Sequence, residues 1–89
     1  MMKICTLTIV KEMHEEPADV EITLYTNPED GIKAYEAAVE KAKIEAKEYE
    51  KVYEDEETIT DTPYRWWSIS DMAGYYESII IELHMKEVM

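Results

Sequence analysis

The chain has 89 residues, of which 46% are hydrophobic, 21 are acidic and nine are basic, giving a formal net charge of -12. This length corresponds to one small domain, and the hydrophobic content is that of a folding sequence rather than a disordered one. The acidic excess argues against direct binding to nucleic acid or to acidic membrane leaflets, and it favours association with basic surfaces.

Cysteine usage and the first residues bear on the cellular setting. Cys5 is the only cysteine, so an intrachain disulfide is excluded and we expect a reducing, cytoplasmic environment. The opening segment 1–10, MMKICTLTIV, is apolar but short and alternates with threonine, so we interpret it as a strand rather than a signal peptide. No run of apolar residues approaches the length of a membrane span.

The first two predicted elements are the strands of a β-hairpin. Residues 3–12, KICTLTIVKE, and residues 20–26, VEITLYT, both alternate between apolar and polar side chains, which is typical of a strand with one buried face. Pro17 interrupts the alternation in the polar segment between them. The side chains predicted to face the core are Cys5, Leu7, Ile9, Val20, Ile22 and Leu24.

A long amphipathic helix is predicted next, from about Pro28 to about Asp55. Asn27 is a suitable N-cap, and proline is well placed at the first helical position. Apolar residues then recur at alternating spacings of three and four, which indicates one stripe along a helix. This stripe consists of Ile32, Tyr35, Val39, Ala42, Ala46, Tyr49 and Tyr53. Such a helix is roughly 40 Å long, so we expect its C-terminal third to overhang the sheet.

The last third of the chain predicts an acidic loop and two further strands. The loop is residues 54–63, the third strand is residues 64–70, YRWWSIS, and the fourth strand, residues 75–88, follows a turn at Gly74. We therefore expect a single α+β domain over residues 1–89. Its order is β-β-α-β-β, with a four-stranded, largely antiparallel sheet and one long helix packed on one face.

The opposite face of the sheet is expected to be open and to present large side chains, which makes it a candidate interaction or dimer surface. The side chains expected there come from Ile4, Val10, Tyr25, Trp66 or Trp67, Tyr76 and Ile80. Adjacent residues of a strand point to opposite faces. One of the two tryptophans is therefore expected to be buried and the other exposed, and the sequence leaves open which is which.

The most unusual stretch is residues 48–61, EYEKVYEDEETITD, which carries seven acids and one lysine. Acids near a helix C-terminus are unfavourable, and Glu50 and Glu54 repel each other at i, i+4. Local stability therefore does not explain this charge. Three interpretations stay open: the stretch keeps the protein soluble, it binds a basic partner, or it binds a cation. The predicted partner-binding residues are Glu48, Glu50, Tyr53, Glu54, Asp55, Glu56, Glu57, Asp61 and Trp67.

The chain contains no motif that predicts catalysis, a metal or a cofactor. Gly31 and Gly74 are the only glycines, so a glycine-rich phosphate loop is excluded. Residues 55–61, DEETITD, lack the glycine of a calcium-binding EF-hand loop. His14 and His84 belong to no zinc-binding pattern. We therefore expect a protein that is not an enzyme and that needs no cofactor.

Its small size, strong acidity, the run EYEKVYEDEE and a minimal α+β platform resemble small acidic proteins of phages and mobile elements, notably anti-CRISPR and other anti-defence inhibitors. The resemblance spans the whole chain in size and composition and includes no diagnostic motif. It implies a cytoplasmic inhibitor in a bacterial host, whose carboxylates stand in for phosphates on a CRISPR effector or similar nuclease. The alternative is a structural or adaptor module that forms a homodimer through the aromatic sheet face or an edge strand.

Overall fold

In the computed structural model, which describes residues 2–13, 15–59, 64–73 and 77–88, the chain forms five strands and one α-helix. In chain order the elements are β1 (Met2–Met13), β2 (Glu16–Tyr25), α1 (Pro28–Glu45), a 3-10 turn (Ala46–Glu48), β3 (Val52–Ile59), β4 (Tyr64–Asp71) and β5 (Glu77–Val88). The strands make one antiparallel sheet in the order β2-β1-β5-β4-β3. The α+β class is confirmed.

The predicted N-terminal hairpin forms, although β2 begins at Glu16, so that Pro17 lies inside the strand and not between the strands. Strand β1 takes an inner position in the sheet. It pairs with β2 on one side and with β5 on the other, where Leu7 lies opposite Leu83 and Ile9 lies opposite Ile81. Cys5 and Leu7 are buried on the face that carries α1. The alternation of β1 therefore predicted its buried side correctly, because this face is the one that the helix covers.

The prediction for β2 is wrong about which side chains are buried. Its apolar residues are exposed by 54%, 64% and 68%; they are Val20, Ile22 and Leu24. Cys5 pairs with Tyr25, and Leu7 pairs with Thr23. Directly opposite residues share one face of a sheet, so Tyr25 and Thr23 lie on the helix side and the apolar set of β2 lies on the open side. Alternation identifies an apolar face of a strand, but it does not say which face of the sheet a helix will cover.

The helix begins as predicted. The Asn27 side chain accepts a hydrogen bond from the Glu29 backbone N–H at 2.9 Å, and Pro28 is the first helical residue. The first part of the apolar stripe faces the sheet, with Tyr35, Ala42 and Ala46 buried. This contact anchors α1 mainly over β1 and β5.

The helix ends at Glu45, and the prediction that it continues to about Asp55 is wrong. After the 3-10 turn the backbone becomes extended at Tyr49, and Val52–Ile59 pairs with β4 over its whole length. The segment predicted as helix end and acidic loop is therefore a strand, and the sheet has five strands where four were predicted. Hydrogen bonding to the free edge of β4 overrides the helical propensity of the glutamates.

The core lies between α1 and the sheet, with Trp67, Ile81, Leu83 and Cys5 fully buried. The predicted open face exists, and it includes the half-buried Val10, Ile80 and Trp66. Tyr25 instead packs against the core on the helix side. His14, Asp61, Gly74 and Tyr76 lie outside the described residues.

Candidate protein-binding edge

One outer edge of the sheet is strongly acidic. Among the described strands, β3 pairs with β4 alone, and all eight of its residues are exposed. Its middle carries four consecutive acids, Glu54, Asp55, Glu56 and Glu57, which we call the acidic edge. Because Glu56 lies opposite Trp67 and Asp55 lies opposite Ser68, the acids alternate between the helix side and the open side of the sheet.

Within the described part of the chain, no side chain forms an ion pair with the acidic edge. Its cross-strand partners on β4 are neutral; they are Ile69, Ser68, Trp67 and Trp66. Within the described part of the chain, the ion pairs lie elsewhere, joining Lys11 to Glu45 at 2.9 Å, Arg65 to Glu36 at 3.3 Å and His84 to Glu82 at 2.9 Å. Four consecutive residues of an exposed strand therefore carry like charges. This arrangement lowers the stability of the fold.

A groove of about 370 Å³ extends this negative surface on the helix side. It is lined by Tyr35, Glu36, Val39, Glu40, Glu56, Thr58 and Arg65. The Arg65 guanidinium lies 5.9 Å from the centre of the Tyr35 ring and pairs with Glu36. Burial, and then the charge of Glu56, raise the pKa of the Tyr35 hydroxyl. With three glutamates against one arginine, the groove stays negative.

A second groove, of about 360 Å³, lies beside the acidic edge on the open face. Its lining residues are Glu12, Tyr53, Ser68, Ser70, Met72, Ser78 and Ile80. The Ser78 hydroxyl donates to Glu12 Oε2 at 3.3 Å, and the three serines are buried although the face is open. Tyr53 and Met72 are exposed by 61% and 49%. These two side chains supply apolar contact area next to the four carboxylates.

The start of β3 is held by Asp71 at the end of β4. Its Oδ1 accepts backbone N–H groups from Ala73 at 3.0 Å and from Lys51 at 3.4 Å. The Met72 N–H donates to the Lys51 carbonyl at 2.9 Å. The hydrogen bond from Ala73, with further ones from Lys51 and Glu50, lowers the pKa of Asp71. This contact between the strand ends sets where β3 begins, and sequence analysis missed it because it depends on two segments 20 residues apart.

Five of the nine predicted binding residues come together on β3; they are Tyr53 and the four acids of the acidic edge. Glu48 and Glu50 are exposed just before the strand, in and after the 3-10 turn. Asp61 lies outside the described residues.

The prediction for Trp67 needs correction. Its side chain is 0% exposed beneath the helix, so it cannot touch a partner. The half-buried Trp66 takes the surface position on the open face. Trp67 lies opposite Ile81 on the covered side of the sheet, and this register decides between the two tryptophans.

Comparison of the chain with protein-family models, with curated proteins and with solved structures found no significant match. In the described part of the chain, no group of three or more His, Cys, Asp or Glu residues is placed to hold a metal ion. None of the described helices is both long enough and apolar enough to cross a membrane. The arguments for function therefore come from the surfaces of the sheet.

Proposed function

We propose that this protein is a non-enzymatic inhibitor that uses its acidic edge to occupy the basic nucleic-acid-binding surface of a partner, such as a CRISPR effector or a similar nuclease. The observation that carries the proposal is the row of four carboxylates along an exposed edge strand, none of which forms an ion pair with another described residue. Carboxylates form strong, often bidentate hydrogen bonds with the arginines that otherwise hold phosphate. The proposal needs no metal, cofactor or chemical step.

The spacing of a strand suits this role. Successive residues of a β-strand are about 3.3 Å apart, and each strand of duplex DNA carries one phosphate per roughly 3.4 Å of helix axis. The acidic edge therefore presents charge at nearly the linear density of one nucleic-acid strand. Tyr53 precedes the four acids directly and is 61% exposed, which provides an aromatic anchor of the kind that dominates binding energy at interfaces.

A competing explanation is that the acids only prevent unwanted pairing of the edge strand. Lysine protects an edge as well as glutamate does, so charge reversal separates the two explanations. The test variant is Glu54→Lys with Glu57→Lys, which changes one acid on each side of the strand. The matched control is Glu16→Lys with Glu87→Lys, since both residues are exposed, lie away from β3 and give the same change of net charge.

The experiment measures binding of the purified protein to a panel of purified CRISPR effectors and other nucleases at low salt, with duplex DNA as competitor. We expect at least one partner to bind, to be displaced by the DNA, and to lose affinity steeply as salt rises. The test variant should bind more than 10-fold more weakly, and the control variant should bind nearly as the parent does. Equal effects of the two variants, or no binding across the panel, would refute the proposal.

A further inference from the structure

We propose that two copies of this chain form a symmetric dimer by antiparallel pairing of their β2 strands, with the two Ile22 residues directly opposite each other across the two-fold axis. The result is one continuous ten-stranded sheet, twice the five strands of a single chain. This inference goes beyond the proposed function and does not depend on it, because β2 and the acidic edge lie at opposite ends of the strand order. Both acidic edges stay accessible in such a dimer.

Strand β2 has the properties of an edge that another strand can join. In the described part of the chain it pairs with β1 alone, and α1 packs mainly over β1 and β5. Edge strands are usually protected by charge, proline or bulges. In β2, Pro17 and Asp19 lie in the first half, and the second half carries Glu21 as its single charge. That second half exposes the three large apolar side chains named above.

Charge excludes several of the possible two-fold registers. In a two-fold antiparallel pair, directly opposite residues share a face, so the axis must pass between the two copies of one residue of β2, which lie opposite each other. We name each register by that residue. An axis at Glu21 places the two Glu21 side chains opposite each other. An axis at Val20 places Asp19 opposite Glu21 of the second copy. Like charges directly opposite are destabilising, so these registers are unfavourable.

An axis at Ile22 avoids this repulsion. Glu21 then lies opposite Thr23 of the second copy, and Asp19 lies opposite Tyr25. Seven residues of each strand are paired, 19–25. An axis at Thr23 also separates the acids but pairs only residues 21–25. The register centred on Ile22 therefore combines the longest pairing with no acid directly opposite another.

The same register buries the exposed apolar side chains of both copies. Val20 lies opposite Leu24 of the second copy, and the two Ile22 side chains lie opposite each other, all on the open face. Within one chain, Val20 also lies opposite Val10, and Val10 lies opposite Ile80. An apolar row therefore runs from Leu24 of one copy across three strands of the other, and burying it is the driving force for association.

The acidic edge cannot pair with itself in this way, because any two-fold axis within residues 54–57 places acids opposite acids. Pairing through β2 alone uses the same patch on both subunits, so it closes as a dimer and does not extend into a fibre.

Charge repulsion makes the dimer depend on salt. Each chain carries a charge of -12, and the two Glu21 side chains become diagonal neighbours. Salt screens this repulsion. Salt therefore strengthens the dimer, whereas it weakens the binding proposed for the acidic edge.

The first test is analytical ultracentrifugation of the full chain over rising protein and salt concentrations. We expect the mass to rise toward twice that of one chain, and to do so at lower protein concentration in high salt. Ile22→Lys should stay monomeric, and since Ile22 is 64% exposed this variant should fold. Ile59→Lys, on the open face of the opposite edge and 43% exposed, is the matched control and should dimerise normally. A parent chain that stays monomeric, or an Ile22→Lys variant that dimerises like the control, would overturn the proposal.

Disulfide cross-linking tests the register. Directly opposite residues have Cα atoms about 4.5–5.5 Å apart, within the range of about 4.4–6.8 Å that a disulfide spans. Ile22→Cys should therefore form a covalent dimer on mild oxidation. The two Leu24 positions are four residues apart along the strands, about 13 Å, so Leu24→Cys should not. The native Cys5 is fully buried and does not compete. Cross-linking of Leu24→Cys without cross-linking of Ile22→Cys would reject the arrangement.

Discussion

Gly31 of α1 and Cys5 of β1 approach so closely that a Cβ atom on residue 31 would lie 2.7 Å from Cys5 Cβ and 3.0 Å from Cys5 Sγ. Cys5 is fully buried on an inner strand, so it has no free space into which to withdraw. The missing side chain of Gly31 therefore sets the distance between the first turn of the helix and the sheet. The turn is also tied by the Gly31 N–H, which donates to the Asn27 carbonyl at 3.1 Å.

We predict that Gly31→Ala destabilises the protein, although alanine is the better helix former by about 1 kcal/mol. The added methyl group would overlap Cys5 Cβ and push the helix away from β1, at a cost of about 1–3 kcal/mol in the free energy of unfolding. Urea denaturation followed by circular dichroism measures this change. Lys33→Ala, two residues on and exposed, should shift the free energy by less than about 0.5 kcal/mol. A Gly31→Ala variant as stable as the parent would contradict this account of the contact.

The size of Trp67 is predicted to matter more than its indole N–H. The side chain is 0% exposed, and within the described residues its Nε1 has no hydrogen-bond partner. Trp67→Ala leaves a large cavity and should cost about 3–5 kcal/mol. Trp67→Phe leaves a smaller one and removes a buried, unpaired donor, whose burial costs about 1–3 kcal/mol. The phenylalanine variant should therefore retain most of the stability in a thermal or urea titration. Equal losses of stability for the two variants would contradict the prediction.

Asp71 is predicted to make stability depend on pH. The backbone N–H of Ala73 donates the hydrogen bond that lowers the folded-state pKa of Asp71 most, and the backbone N–H groups of Lys51 and Glu50 lower it further. A lowered pKa stabilises the folded state above the unfolded pKa, and this contribution is lost as pH falls through the folded pKa. The parent should therefore melt at a higher temperature than Asp71→Asn near neutral pH, and the gap should narrow in acid. Measuring the difference between the two proteins cancels the titration of the other carboxylates, and a gap that is constant with pH would refute the prediction.

Neutralising the acidic edge is predicted to cause aggregation. Replacing Glu54, Asp55, Glu56 and Glu57 by their amides leaves an uncharged, exposed edge strand, which can pair with other chains. Light scattering over time should therefore rise for this variant and stay low for the Glu54→Lys, Glu57→Lys protein, which keeps charge on the edge. Glu16→Gln with Glu87→Gln serves as the control for loss of charge elsewhere. An amide variant that stays as soluble as the control would mean that the acids do not protect the edge, and would leave partner binding as their role.

Several parts of the fold follow from local sequence. The alternation in β1 and the cap formed by Asn27 and Pro28 each act over a few residues, so the hairpin and the start of the helix could be predicted without tertiary contacts. The concentration of acids between residues 48 and 61 is also visible directly. That much of the candidate site could be predicted, because composition does not depend on how the chain folds.

The tertiary structure decided the rest. Helical propensity favours continuing beyond Glu45, but the unpaired edge of β4 offers Val52–Ile59 a full set of hydrogen bonds, and this makes the acidic stretch a strand. The register of β4 against β5 and the packing of α1 bury Trp67 and leave Trp66 at the surface. Period-two alternation shows that a strand has one apolar face, but it is the same whichever side of the sheet that face occupies. Only the packing of α1 on one side of the sheet determines which residues are covered, and so leaves the apolar side chains of β2 exposed.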